Sequence, residues 1–449
     1  MTKWLGCAAA ATLLMGGLAW AQGAPQGKEV GRRHSQAEMD ALAREQTVRI
    51  GSIRVEGTRR TRDRILLQEL SFHTGDAYDA AAVEESRHLI QNLDIFQFVR
   101  FEFEPTARVS VYDLVIVARD RWSLLPDVLL TRKSSGRTEI GLQLKEYNLL
   151  GLNQKLEVEA AHVGAQDFDV TLGWEGRVIF EEPRIFGTYY AFGASVGKRR
   201  DFEQIFSDEV LLAEYGIERD VAEVSVGRRF LQRHHLRGKL RYQDIRYELF
   251  SGGPPREARS IFGVGKSYFW DRSNVHPWFV RSGFTLRLEG SVHSTRLGSD
   301  VSGTVGSARF LRYARLGEYG NAVFRAEARR LFAGDFDTFA SSVGGSGSLR
   351  GYEEGQYRGR DAWLATAEAR LPLGRPVWRE RLLWGLAAFV DVGDASFRSL
   401  ARPDDWKIGA GGGLRLYAQR IVDGILRLDA AYGFDIHDWK ILADVGRAF

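Results

Sequence analysis

The sequence predicts a mainly β chain: a transmembrane antiparallel β-barrel of about 16 strands, preceded by one small α+β domain of order β-α-α-β-β. Three observations carry this. From Trp122 to Phe449 the chain repeats short runs in which apolar and polar residues alternate, the period of a strand with two unlike faces. The chain holds 49 Gly and 12% aromatic residues against 10 Pro and 3 Met, which suits long strands with aromatic girdles. Beyond the first residues no run is apolar for the ~20 residues of a membrane helix, so a span in lipid must be a closed barrel.

Charge narrows the partners. Lys+Arg number 62 and Asp+Glu 58, a net of +4, with both signs mixed along the chain. No basic block forms, so nucleic acid is not an expected partner.

The elements follow in order. Lys3 precedes an apolar run, Ala8 to Trp20, closed by Ala19-Trp20-Ala21. A charged start, a short apolar middle and a small-x-small end predict a signal peptide, residues 1–21, cut after Ala21. Cys7 is the only cysteine, so the expected mature chain has no disulfide and no thiolate chemistry. Residues 22–46 are polar and predict a flexible leader, with a short helix around Gln36–Glu45.

Residues 47–120 predict the small domain. Val48 to Gly57 alternates as a strand. Ile65, Leu66 and Leu70 share a helical face, and Gly75 breaks that helix. Asp79 can cap a second helix, in which Val83, Ile90 and Leu93 recur at helical spacing. Phe98 to Glu104 alternates strictly. Val109 to Val117 is a last strand, apolar on both faces in its second half. Two helices on one face of three strands leave a sheet edge open to an extended peptide. The expected edge residues are Val109, Val111, Val115 and Val117. In order and spacing the segment resembles a POTRA domain, from Gly51-Ser52-Ile53-Arg54-Val55-Glu56-Gly57 through Gly75-Asp76-Ala77-Tyr78-Asp79 to Leu93-Asp94-Ile95-Phe96-Gln97-Phe98-Val99.

Residues 121–449 predict the barrel. Trp363, Ala365, Ala367, Ala369 and Leu371 alternate with Thr366, Glu368 and Arg370. Leu426, Leu428, Ala430, Tyr432 and Phe434 enclose Arg427 and Asp429, and Phe284, Leu286 and Leu288 enclose Thr285 and Arg287. At roughly 20 residues per strand and connection, this length makes about 16 strands.

Three stretches of the barrel carry a second resemblance. Gly344-Gly345-Ser346-Gly347-Ser348 leads into Leu349-Arg350-Gly351-Tyr352, where glycine permits a tight return. Phe389-Val390-Asp391-Val392-Gly393 alternates so that Asp391 faces inward. Trp439, Ile441, Ala443, Val445 and Phe449 share one face of a final strand, which ends on Phe449. Together they resemble the BamA/TamA-type assembly and translocation barrels, the bacterial surface antigen family. A weaker match is Asp271-Arg272-Ser273-Asn274, followed by Pro277 and Gly283.

The resemblance implies several things. A lumen loop would carry Leu349, Arg350, Gly351 and Tyr352. Its arginine would pair with Asp391, on a wall strand marked by Phe389 and Gly393, through two parallel hydrogen bonds that a lysine cannot make. Trp439, Ile441, Val445 and Phe449 would form the C-terminal insertion signal. The first strand, near Trp122–Leu130, and the last would pair imperfectly and leave a lateral seam. The protein would sit in the outer membrane of a Gram-negative bacterium with its POTRA domain in the periplasm. There it would help proteins insert into, or cross, that membrane. Its partners would be outer-membrane lipid, unfolded polypeptides and periplasmic or inner-membrane proteins held through POTRA. A dedicated two-partner-type secretion pore is an alternative, as is a passive porin or structural surface antigen. The former class usually carries two POTRA domains and a plug helix, and a porin needs no POTRA domain.

No enzyme site emerges, and no cofactor is implied. Gly265-Lys266-Ser267 imitates the end of a phosphate loop, but Ser260 stands where its first glycine should be. Gly409-Ala410-Gly411-Gly412-Gly413-Leu414 imitates a dinucleotide fingerprint but ends in Leu, and fits a bend in a strand better. His234 and His235 are adjacent on a strand and point to opposite faces, which is poor metal geometry. Asp435, His437 and Asp438 are a second weak cluster.

Overall fold

A computed structural model describes residues 32–132, 137–165, 170–207, 210–231, 233–276, 280–377, 382–396, 406–418 and 425–446. The expected signal peptide, residues 22–31 of the expected leader, Pro277 and Phe449 lie outside the described residues.

The small domain runs β1 (His34–Ser35), α1 (Gln36–Glu45), β2 (Arg49–Glu56), α2 (Asp63–Leu67), α3 (Ala80–Gln91), β3 (Phe96–Pro105) and β4 (Val111–Asp120). α1 and α3 start at side-chain caps. Ser35 accepts from the Glu38 amide and the Glu38 carboxylate accepts from the Ser35 amide, a reciprocal cap. Asp79 accepts from the Ala81 amide at 2.9 Å. Gly75 takes φ +93°, which L side chains rarely adopt. The helices bury Met39, Ile65, Leu66, Val83 and Ile90 against Phe101, Phe103, Leu114 and Ile116.

The sheet order is β1-β3-β4-β2. β4 pairs antiparallel with β3 and parallel with β2, because the two helices carry the chain from β2 back across the sheet. This corrects the expected edge. Val111, Val115 and Val117 lie in an interior strand, and Val109 sits in the turn before it. The stretch apolar on both faces marked a strand covered on both sides. β1 is a fourth strand that the sequence reading did not include. Arg33 beside it donates to Glu56, Glu102 and Glu104 at 2.7–3.1 Å.

The barrel runs β5 (Leu124–Arg132), β6 (Arg137–Leu149), β7 (Gln154–Ala165), β8 (Val170–Glu182), β9 (Tyr190–Ser207), β10 (Val210–Phe230), β11 (His234–Gly252) and β12 (Arg259–Asp271). The short β13 (Asn274–Val275) is followed by β14 (Arg281–His293), β15 (Gly303–Leu316) and β16 (Gly320–Gly334). A loop then carries α4 (Phe336–Phe339), β17 (Ser341–Val343) and β18 (Tyr357–Gly359). β19 (Asp361–Pro372), β20 (Leu382–Ser396), β21 (Lys407–Ala418), β22 (Ile425–Gly433) and β23 (Asp438–Gly446) complete it. Among the described residues sixteen long strands close the ring, the two-residue β13 only extending one hairpin. This agrees with the expected fold class.

Burial is inverted relative to the small domain. Leu142 and Ile441 are 68% and 76% exposed on the outer face, whereas Asp391 and Arg415 are 0% exposed inside. Such a face is stable only against lipid. β9, β10 and β11 are 18, 21 and 19 residues long. A membrane strand needs only ~9–11 residues, so these three stand well clear of the bilayer at one rim. Their outer face turns polar there: Arg246 donates to Glu218 and Asp220 at 2.8 and 2.9 Å, and Lys198 lies 3.5 Å from Asp220.

Candidate functional site: a loop clamped to the barrel wall, and a seam

The segment between β16 and β19 turns back into the lumen. Gly344, Gly345 and Gly351 take φ of +123°, +95° and +96°, so the return depends on glycine. A Cβ on Gly351 would meet the backbone of Tyr432 and Gly433 at 2.8 Å. One on Gly409 would collide with the Arg350 carbonyl oxygen. The glycine-rich β21 thus clears the inner wall for the loop, a role more specific than the strand bend expected from its sequence. Leu349 and Tyr352 are buried with Val343, Ala362 and Leu364, and the Tyr352 hydroxyl donates to the Ile408 carbonyl at 2.8 Å.

Arg350 meets Asp391. Its Nε and Nη2 donate to the two carboxylate oxygens at 2.7 and 3.0 Å, and its amide adds a third bond at 3.2 Å. The guanidinium lies 3.4 Å above the centre of the Phe389 ring. Nη1 donates to Glu368 at 2.7 Å and reaches Asp429 at 3.4 Å. Arg370 donates to Glu368 at 2.7 Å, and Arg415 forks onto Asp429. Among the described residues three guanidinium groups and three carboxylates meet in this buried network. Burying an ion is tolerable only with such close pairing. Gly393 lies on the same strand, where a Cβ would meet the Trp363 carbonyl at 2.7 Å.

Sequence reasoning found Arg350 and Asp391 but not Glu368, Arg370, Arg415 and Asp429. Their signal was present, since each is a charged inward position on an alternating strand. What selects these four from all such positions is their distance to the loop, which only closure of the barrel fixes.

The seam lies where the ring closes. Nine residue pairs join β22 to β23, and nine join β5 to β6. Among the described residues two, Ala443 with Arg132 and Asp444 with Thr131, join β23 to β5. Among the described residues this is the shortest ladder between neighbouring long strands of the ring. Trp439 and Ile441 project outward beside it and are highly exposed.

The small domain docks on the barrel through polar contacts that the sequence did not reveal. Glu69, 2% exposed, lies 3.1 Å from Arg184 and 2.7 Å from Arg229. Glu85 forks onto Arg233 at 2.6 and 2.7 Å. Asn92 donates to the Ser273 carbonyl at 3.0 Å and accepts from the Val275 amide at 3.1 Å, which gives the Asp271–Asn274 stretch a structural role. Among the described residues no group of three or more His, Cys, Asp or Glu is placed to hold a metal ion.

Comparison with known proteins agrees with this arrangement. Residues 148–438 match the Omp85 superfamily domain. The chain belongs to the Omp85 superfamily. Residues 48–117 match POTRA, the surface antigen variable number repeat. The outer membrane protein assembly factor BamA of Neorickettsia risticii (strain Illinois) is 25% identical over 273 residues, covering 59% of this chain and 33% of the relative. The chain thus spans about a third of that relative's length. Among solved structures, CdiB from Escherichia coli is similar with a TM-score of 0.63 at 14% identity, over 89% of this chain and 76% of that one. CdiB from Acinetobacter baumannii has a TM-score of 0.59 at 15% identity, over 89% and 74%. BamA from Haemophilus ducreyi lacking POTRA domains 1–3 has 0.53 at 15%, over 88% and 83%. These likenesses show the fold. With the family domain, they make the chain an outer-membrane Omp85 barrel with one POTRA domain.

Proposed function

We propose that this Omp85 barrel assists other polypeptides to insert into, or cross, the outer membrane. It does so without catalytic chemistry, and its POTRA domain stands in the periplasm. The observation that carries the reading is the short ladder between β5 and β23, two pairs among the described residues. An unfolded strand can pair with backbone groups at that edge, and lateral opening there releases it directly into lipid. The driving force is burial of apolar strand faces together with completed backbone pairing. The clamp formed by Arg350, Asp391 and their neighbours holds the far wall and lumen loop while the seam moves.

Two POTRA edges are left for an extended client. One is β2 beyond Ile50, and the other is β3 ahead of the two residues that β1 covers. Trp439, Ile441, Val445 and Phe449 serve as the signal by which the chain itself is inserted. Outer-membrane lipid, unfolded polypeptides and proteins held through POTRA are the partners of this reading.

The test is a disulfide across the seam, with cysteines at positions 132 and 443. The full chain is reconstituted in liposomes and given an unfolded outer-membrane barrel precursor, whose folding is read by its heat-modifiable migration. The oxidised protein is expected to lose precursor folding and to recover it on reduction. Full activity while oxidised would overturn lateral release and favour a route through the lumen.

A further inference from the structure

The outer face of β10–β12 carries two cations, Arg228 and Lys266, that pair with no carboxylate among the described residues. Lys266 is exposed on β12, opposite Gly238 of β11 and Gly290 of β14. The neighbouring outward residues Leu240, Val264, Leu288 and Val292 are all exposed hydrophobics, so Lys266 stands within the lipid-facing band. It is four residues from Trp270 in one direction and four from Phe262 in the other. Neither Lys266 nor Arg228 forms an ion pair among the described residues; the Arg228 guanidinium instead lies 5.6 Å from the centre of the Tyr190 ring. The polar rim described above behaves differently, for its outward charges on the same strands pair with one another.

The surroundings of Lys266 fit a ligand. A Cβ on Gly238 or Gly290 would meet a single atom, at 3.9 or 4.0 Å, so internal packing does not require glycine at either place. Together they leave a shallow trough on both sides of the lysine stem. Towards the rim nearest the POTRA domain, His234 stacks between Phe230 and Trp270, and its Nδ1 lies 2.7 Å from the Tyr268 hydroxyl. Aromatic clusters of this kind mark the depth of lipid headgroups, and a lysine can swing its ammonium to that level while its stem stays in the apolar band.

We propose that this face binds the phosphate of an anionic phospholipid in the leaflet on the POTRA side. Arg228 and Lys266 reach the phosphate from either side of Leu236, Tyr268 and His234 line the headgroup, and an acyl chain lies along the Gly238–Gly290 trough. Charge complementarity selects this occupant: among the described residues the outward positions beside Lys266 and Arg228 carry no carboxylate, and a second copy of the chain would present the same cations and be repelled. The site rests on the barrel lying in lipid and is independent of whether the protein inserts or secretes clients.

The test is native mass spectrometry of the full chain in detergent, titrated with phosphatidylglycerol or with diacylglycerol, which lacks the phosphate. The expected result is one retained phosphatidylglycerol and no retained diacylglycerol. Lys266→Gln and Arg228→Gln should each weaken retention roughly tenfold, the scale of one charge-assisted hydrogen bond. Lys266→Arg should keep it. Lys239→Gln, in the lumen beside Glu289 at 3.2 Å, should not change it. Heat-modifiable migration confirms that each variant is a folded barrel. Equal retention by Lys266→Gln and wild type overturns the proposal, as does equal retention of diacylglycerol. Loss of a co-purifying membrane protein from Lys266→Gln, with lipid unchanged, would assign the face to a protein instead. Precursor folding by the reduced seam variant separates failure here from failure of the insertion reading.

Discussion

The barrel has two unlike walls. Behind the lumen loop, β19 to β22 are joined by nine to twelve residue pairs at each step and are tied again from inside by Arg350. At the seam, β5 and β23 share two pairs among the described residues. Both walls use the same alternating strands, so the difference does not come from strand propensity. It comes from where the ladder is completed and where charge is fully paired. A closed ring of equal strands would be a static container. Concentrating cohesion on one side leaves the other able to move.

The sharpest way to break this contrast is Arg350→Ala. Asp391 would then be buried with no cation, a loss of about 3–5 kcal/mol if the network stays dry. Removing both partners should cost less than the sum of the two single changes. The measurement is the urea midpoint of the compact, heat-modifiable form. A cost no greater than that of Arg246→Ala, at an exposed ion pair, would show that the clamp braces nothing. Arg350→Lys keeps the charge but loses the fork. About 1.5–3 kcal/mol is expected by the same assay, the scale of a charged hydrogen bond.

Tyr352→Phe should cost about 1 kcal/mol, because it removes one hydrogen bond to the Ile408 carbonyl and leaves the packing in place. Hydrogen exchange measures the contrast directly. Amides of Leu124–Thr131 that face the seam should exchange at least about tenfold faster than those of Leu386–Val392. Equal protection would mean that the seam is closed by something other than its ladder.

The smallest effect sets a baseline outside both walls. The Arg87 guanidinium hydrogen-bonded to Glu84 in α3 holds that carboxyl down at about 2. Because the folded value is depressed, the stabilisation is complete above the ordinary carboxylate range and fades as pH falls towards 2. Glu84→Gln should flatten the acid limb of POTRA unfolding, followed by tryptophan-free far-UV signals or amide exchange, and leave the barrel midpoint unchanged.

Much of this was legible in the sequence because it depends on period. Alternation placed Asp391 and Glu368 inside and Leu371 and Leu428 outside, and helical spacing placed Val83 and Ile90 in the POTRA core. Chain-distant geometry was less legible. The order β1-β3-β4-β2 is decided by a parallel crossover, so the strand carrying Val111, Val115 and Val117 was mistaken for an edge although its doubly apolar end pointed to the interior. The docking of Glu69 on Arg184 and Arg229 left no trace, because a lone Glu beside a helix looks like any solvated residue. The partners of Arg350 beyond Asp391 were visible as inward charges but indistinguishable from ordinary lumen lining.

On the proposed function, β9, β10 and β11 also decide what the cell shows to its surroundings. In the proposed orientation, with the POTRA domain in the periplasm, their far halves stand outside as one ledge of paired strands. An antibody or a phage meets that ledge as a folded surface, with the main chain already engaged in hydrogen bonds and side chains presented in two fixed rows. The epitope is therefore conformational. Serum raised against free peptides from 199–217 should fail on intact cells that serum against the folded barrel stains, and diversification under immune pressure should fall on the outward row, where a change leaves the ladder intact.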